Sequence, residues 1–380
     1  MRRPNKDIAL KDLQGFKIIK KFQKFLNQAQ AQLQDHIQPT ERDPKRKLSK
    51  RDYFSLFIFA FLNPVIKSMR GLCEANKLNK IQDKVSSNSV SLGSFSEAQN
   101  CFNPKLLLST IKILAKRFDF SFGDKRLYKL AKELVAVDGT LIRALPRMSW
   151  ALWQDDLHRS AKLHLHYAFL RQSVIDASLT DAKSCERAEL AKHLEKGYLY
   201  TADRYYGGNY SFFTIFDKAE SHFVIRIRND AVIQELETFP LTEADKKDGI
   251  VYDKKVLLGK EPTEQPYRLI KVKAYGKTLL ILTNRWDISA ELISLIYRYR
   301  WEIENLFKWI KCNLQCRHLL AESLQGVTIQ IYLAIIASML LFLAIGRKPT
   351  KRELEIIHLF SIGWATFKEL TKGLTPQKRA

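Results

Sequence analysis

Between Leu134 and Ala202 the chain is cut into short apolar runs, Leu134–Val137, Lys162–Leu170, Ser173–Leu179 and Tyr198–Ala202, rich in β-branched residues and separated by turns. Runs of this length and texture pack as strands of a sheet. A helical stretch, Cys185–Lys196, lies among them, and strands with helices between them build a layered α/β unit. A second β-rich block follows, with Phe223–Ile227, Val251–Leu257, Tyr267–Val272 and Thr278–Thr283 and little helix, before strongly helical sequence resumes after Asp287. This pattern predicts a helical region over residues 1–125, an α/β core begun over 126–217, a β-rich insertion over 218–285, and the rest of the core with C-terminal helices over 286–380.

The formal net charge of +23, from 63 Lys and Arg against 40 Asp and Glu, favours a polyanionic partner. The excess is uneven: residues 1–130 hold 26 basic and 11 acidic residues, a net of +15, so the helical first third reads as a basic binding module for nucleic acid or an acidic membrane surface. Composition alone fits a merely basic soluble protein equally well. The five cysteines (Cys73, Cys101, Cys185, Cys312, Cys316) are scattered and no secretory leader is evident, which points to a reduced, cytoplasmic setting. Cys312 and Cys316 with His318 make half of a zinc-type pattern. No second ligand cluster completes it, so buried small residues of a helix are the simpler reading. The apolar runs Tyr53–Leu62 and Ile331–Ile345 are too short to span a bilayer and are expected to be core helices, with no membrane partner.

Two acids stand where strands meet turns. Asp138 closes Leu134–Val137 and precedes Gly139; Asp203 closes Tyr198–Ala202, with Gly207 and Gly208 shortly after. Carboxylates at strand ends project into a cleft a ligand can reach, although each could simply open a turn. The helix beginning near Asp287 carries Tyr297, Arg300, Glu304 and Lys311, whose offsets keep all four side chains within about 60° of arc. Glu304 flanked by two cations and a phenol suits a carboxylate that binds metal beside phosphate oxygens. Taken alone, the stripe is equally a solvated helix face with helpful charge pairs. His164 and His166 alternate on one strand and are read as plain strand positions.

Tyr297-x-x-Arg300-x-x-x-Glu304-x-x-x-x-x-x-Lys311, with Trp301 after the Arg, resembles the Y-R-E-K signature of the DDE transposases of the bacterial insertion sequence four family. Val-Ala-Val-Asp138-Gly139-Thr140 and Thr201-Ala-Asp203-Arg204-Tyr205-Tyr206 resemble that family's two Asp motifs, and the β-rich block between Asp203 and Glu304 resembles its insertion. Tyr205 departs from the family, where Gly is frequent. The resemblance implies an RNase H-like core, a five-stranded mixed sheet with helices on both faces. It further implies that Asp138, Asp203 and Glu304 are catalytic and hold two Mg²⁺ ions, with Mn²⁺ able to substitute, while Tyr297, Arg300, Lys311 and Trp301 contact DNA. The implied partners are terminal inverted repeats and target DNA, with a homodimer in the paired-end complex. Another RNase H-like nuclease or recombinase, or a non-catalytic DNA-binding derivative, would share many of these features.

Overall fold

The computed structural model describes residues 7–33, 46–119, 122–155, 157–274, 276–313 and 319–375. Six helices precede the sheet: α1 (Ile18–Gln32), α2 (Lys50–Leu62), α3 (Met69–Asn76), α4 (Asn79–Lys84), α5 (Leu92–Glu97) and α6 (Lys105–Ala115). Strands β1 (Glu133–Ala144), β2 (Arg159–Ala168) and β3 (Ser173–Asp181) come next, then α7 (Glu186–Ala191), β4 (Tyr198–Ala202), α8 (Phe213–Lys218), β5 (His222–Ile227) and β6 (Ile233–Phe239). After α9 (Glu243–Lys247) the chain forms β7 (Ile250–Leu258), β8 (Tyr267–Ala274) and β9 (Lys277–Thr283), and closes with α10 (Ala290–Tyr299), α11 (Trp301–Asn313), α12 (Leu324–Ile345), α13 (Lys351–Ser361) and α14 (Phe367–Leu374).

The expected five-stranded sheet is corrected to one of nine, in the order β3-β2-β1-β4-β5-β9-β8-β7-β6. Its first five strands are mixed: β1 pairs antiparallel with β2 and parallel with β4, which pairs parallel with β5. The remaining four strands are antiparallel and join through β9 on the free edge of β5. Backbone pairing explains the difference, because an unpaired β5 edge satisfies its N–H and C=O groups by accepting β9. Strands of residues 218–285 therefore extend the sheet.

Strict alternation along the strands divides the core in two. Leu134, Ala136, Leu163, Leu165, Leu199 and Val224 face one side, with α6, α10, α11 and α12 among the elements on it; this is the front. Val135, Val137, Tyr200, Ala202, Phe223 and Ile225 face the back, where α7 and α8 lie. Helices 1 to 6 share the front core rather than enclosing one of their own: α6 packs on α1, α12 and β3, and α2 packs on α12.

At 22 residues α12 is longer than the fifteen-residue run suggested, and by length and composition it could cross a membrane. It is instead the central core helix, 94% buried, and the Tyr332 hydroxyl donates to the Ala177 carbonyl of β3 at 2.7 Å. Apolar on every side, it has protein on every side. The Trp309 indole ties α11 to the segment after α12 by donating to Pro349 O at 2.7 Å. Cys312, expected to be buried, is exposed on α11; Cys316 and His318 lie outside the described residues.

His164 and His166 lie on the back, opposite in direction to Leu165. The His164 ring is 2.9 Å from Thr180 Oγ1, and the His166 ring stands 5.5 Å from that of His193. His193 pairs in turn with Asp176 (3.2 Å) and Glu189 (3.5 Å), and Lys112 reaches Asp176 from α6 (3.1 Å). Burial pushes His164 and His166 down to about 4, whereas the bond to Asp176 raises His193. The two buried imidazoles thus stay neutral while unfolded chains take up protons near the ordinary value, so their stabilising contribution is full above about pH 6.5 and is lost as pH falls toward 4. Each removes about 1.4 kcal/mol per pH unit across that window, and His193, whose contribution is full at the acid end, offsets part of it. His166→Phe should flatten the loss of stability between pH 6.5 and 4.5 in urea titrations. Parallel pH curves for variant and parent would contradict this account.

Candidate active site

The parallel register between β1 and β4 ends with Ala136 opposite Thr201. Asp138 and Asp203 each lie two residues beyond that pair. They are therefore level with one another on neighbouring strands, about 4.8 Å apart across the sheet, and on the front face. The sequence placed Asp138 at a strand end, but β1 runs on to Ala144, paired only with β2. It is β4 that stops, at Ala202, and its early end opens the sheet beside Asp138. Asp138 Oδ1 accepts from the Gly139 N–H (2.8 Å), and Asp203 Oδ1 accepts from the Tyr205 N–H (2.9 Å), which fixes both carboxylates at the backbone.

The expected single helix over Tyr297 to Lys311 is two abutting helices, α10 and α11, joined at Arg300. The Arg300 N–H donates to Tyr297 O (3.1 Å) and the Ile303 N–H to Arg300 O (3.2 Å), a tight i to i+3 pattern at the joint. Arg300 keeps helical angles there, φ −53° and ψ −32°, so the stripe survives the break. The Arg300 side chain, 8% exposed, pairs with Glu304 at 2.8 Å and leaves its Nε buried without a partner. Lys311 Nζ donates to Thr140 Oγ1 (2.7 Å) and to Leu141 O (2.8 Å), docking the far end of α11 on β1 just past Asp138. Tyr297 is buried; Trp301 is 52% exposed with the Arg300 guanidinium 5.6 Å from its ring centroid. Trp286 is also largely exposed.

Burial, and next the charge of Asp203, push the Asp138 carboxyl up to about 7, with Arg300 acting in the opposite direction. Asp138 and Asp203 thus share one field. Glu304 joins them through Arg300 and is not in a common carboxylate cluster: among the described residues no three acidic, histidine or cysteine side chains gather closely enough to hold a metal ion. Three further groups stand near the acids, of which the sequence motifs include only Tyr206. Glu186, at the start of α7, lies on the back of Gly139, where a Cβ would come within 2.9 Å of its carboxyl carbon, and it pairs with Lys162 at 3.3 Å. The buried Tyr206 hydroxyl lies against Glu186, and burial with that carboxylate raises its pKa well above the ordinary value. Arg226 of β5 comes next to Asp203 across the sheet, since Ile225 pairs with Ala202. Glu186 sits 48 positions from Asp138, so only the fold joins them.

A Cβ on Gly207 would overlap the carbonyl oxygen of Arg226, whereas one on Gly208 would meet only the tip of Arg187 at 3.7 Å. Gly207 therefore lets the turn after Asp203 lie flat against β5. Gly207→Ala should destabilise the protein by about 1 to 3 kcal/mol, as overpacking against backbone does, and Gly208→Ala by less than about 0.5 kcal/mol. Equal urea midpoints for the two variants would refute this difference.

Residues 129–340 match a family model described as Transposase DDE domain. A protein of Sinorhizobium fredii, provisionally named a transposase, is 30% identical over 177 residues, covering 45% of this chain and 48% of the relative. A Synechocystis protein provisionally named a transposase for insertion sequence element IS4SA is 41% identical over 58 residues, 15% of this chain and 17% of its own length. A Geobacillus stearothermophilus protein, provisionally named a transposase for insertion sequence element IS5377, is 35% identical over 68 residues, 18% of each chain. The matched stretches cover less than half the length of each of these relatives.

Proposed function

The chain belongs to the transposase DDE domain family, of the insertion sequence four type, and we propose that it cuts DNA at the terminal inverted repeats of its element and joins those ends to target DNA. The observation that carries this reading is the placement of Asp138 and Asp203 level on adjacent parallel strands, on the face covered by the helices that bear Glu304. Strands β1 to β5 provide the mixed sheet of an RNase H-like core, and the nine-stranded sheet is its extension.

A pair of neighbouring carboxylates, one of them raised toward neutrality by burial and next by the charge of the other, is an all-oxygen donor set that suits a hard divalent cation. Asp138, Asp203 and Glu304 would hold two Mg²⁺ ions, replaceable by Mn²⁺, which when bound supply activation of the attacking oxygen and charge stabilisation at the departing one. The chain's own side chains then do three things. Asp138 and Asp203, anchored by the Gly139 and Tyr205 amides, keep their oxygens aimed at the front. Arg300 presents a buried guanidinium beside them; a phosphate oxygen arriving there competes with Glu304 for its N–H groups and frees that carboxylate to join the aspartates. Tyr297 and Lys311 add a phenol and a cation on the same stripe, and the exposed Trp301 offers a ring to an unstacked base. Affinity for DNA comes mainly from phosphate contacts, supplied by the basic residues 1–125, and the ends are held together by a homodimer. The setting is the bacterial cytoplasm, at the nucleoid.

Asp138→Ala, Asp203→Ala or Glu304→Ala should each reduce Mg²⁺-dependent strand cleavage to background while inverted-repeat duplexes still bind. Near-normal cleavage by any one of them would exclude that residue from the site. Arg300→Ala and Lys311→Ala should weaken paired-end complexes formed in Ca²⁺ by roughly ten- to hundredfold, the loss of one charged contact of about 1.5 to 3 kcal/mol. Complexes as stable as the parent's in both variants would return the stripe to an ordinary solvated face.

A further inference from the structure

Level with Asp138 on β1 and Asp203 just past the end of β4, the third parallel strand carries Arg226: Thr201 pairs with Val224 on β5, and Arg226 is two residues further on. Val224 faces the front core, so Arg226 projects from the same face as the two acids. Its backbone is held by the pairing with Ile281 of β9, directly after Ile225, the last residue paired with β4, and from behind by Gly207 against its carbonyl oxygen. The guanidinium, however, is left with work undone. Its Nε is buried without a hydrogen-bond partner, and no carboxylate pairs with it among the described residues. Buried Arg268, by contrast, pairs with Asp253 at 2.6 Å. Tyr297 is its neighbour on the α10 side, where Arg226 together with Arg300 acts to lower the phenol's pKa against the larger effect of burial.

We propose that Arg226 binds a DNA phosphate on the β5 side of the reacting centre, as the counterpart of Lys311 on the β1 side. This inference rests on reading Asp138 and Asp203 as the cutting site. A guanidinium whose Nε is shut off from water, with no carboxylate partner among the described residues, is costly to keep unless an anion completes it, and its fork suits two phosphate oxygens. Two strand spacings of about 4.8 Å separate Asp138 from Arg226, roughly 10 Å in all, so the phosphate it takes is a neighbour of the one that reacts. Lys311 lies against Thr140 and Leu141 at the other end of the row. The bound strand therefore crosses β1, β4 and β5 in that order, from Lys311 over the acids to Arg226, and does not run along them.

The test uses the full chain and a duplex bearing its element's terminal inverted repeat, with each phosphate flanking the scissile one replaced in turn by a neutral methylphosphonate. Binding is measured in Ca²⁺ and cleavage in Mg²⁺. One neutral position should weaken binding by the parent roughly ten- to hundredfold, as loss of a charged contact does, and should cause no further loss in Arg226→Ala. That variant should also show a shallower dependence of log affinity on log salt, by about 0.9, and Arg226→Lys should recover part of both. A folded Arg226→Ala that keeps the parent's salt slope and its full sensitivity to every neutral position overturns the proposal. If Arg226→Ala does not fold, the parent's scan and Arg226→Lys decide, and a parent indifferent to every flanking phosphate overturns it too. Failure of the parent itself to cut the unmodified duplex would overturn the underlying functional reading; a parent that cuts beside an indistinguishable Arg226 variant overturns this inference alone.

Discussion

The pairing of β1 with β4 stops at Ala136 and Thr201 because β4 ends at Ala202 while β1 continues to Ala144. Most of the candidate site follows from that mismatch in length. Two parallel strands in fixed register place Asp138 and Asp203 at one level, and the missing continuation of β4 leaves open space where another strand's side chains would have been. A shift of one residue in register would turn one acid to the back, into the apolar layer of Val137 and Ala202. Buried strands on both sides of the pair, with residues such as Leu134, Leu199 and Val224 in the front core, hold that register.

Charge is then distributed around the row as three cations, Arg300, Arg226 and Lys311, beside three carboxylates, Asp138, Asp203 and Glu304. Asp138 is poised near neutrality by burial and by Asp203, and Arg300, Arg226 and Lys311 surround the pair without cancelling it. Arg300 is matched to Glu304 at 2.8 Å. Such a site has unmet demand for both a cation between the aspartates and an anion before the guanidiniums.

The β-rich segment contributes more than area to the sheet. Helix α10 begins at Ser289 without a side-chain cap of its own, and the Glu291 N–H is taken by Asp245 of the inserted α9 at 3.1 Å. Arg298 bonds Asp248 at 2.8 Å, and buried Arg268 of β8 binds both Asp253 of β7 and the Ile288 carbonyl leading into α10. These bonds set where α10 starts, and so where Tyr297 and Arg300 come to lie over β4 and β5. The Trp309 bond to Pro349 and the Lys311 bonds to β1 hold the other end. Positioning of the stripe is thus shared between the insertion and the C-terminal helices.

Local pattern made much of this legible. Short β-branched runs between turns exposed the strands, helical spacing collected Tyr297, Arg300, Glu304 and Lys311 on one face, and the motif around each acid marked Asp138 and Asp203, because all of these depend on residues within a few positions of one another. Boundaries set by distant partners were not legible: β1 outruns its apolar stretch because β2 pairs with it, and the sheet grows past five strands because β9 finds the edge of β5. The same holds for the groups added to the site. Glu186 meets Gly139 through α7 and Arg226 reaches the row through β5, contacts that no spacing along the chain encodes. The amino-acid sequence by itself determined the motifs that mark Asp138 and Asp203 and the helical spacing that puts Tyr297, Arg300, Glu304 and Lys311 on one face. Tertiary structure alone decided that Asp138, Asp203 and Arg226 stand in one row, since strand register is settled by the burial of whole faces and not by any local preference.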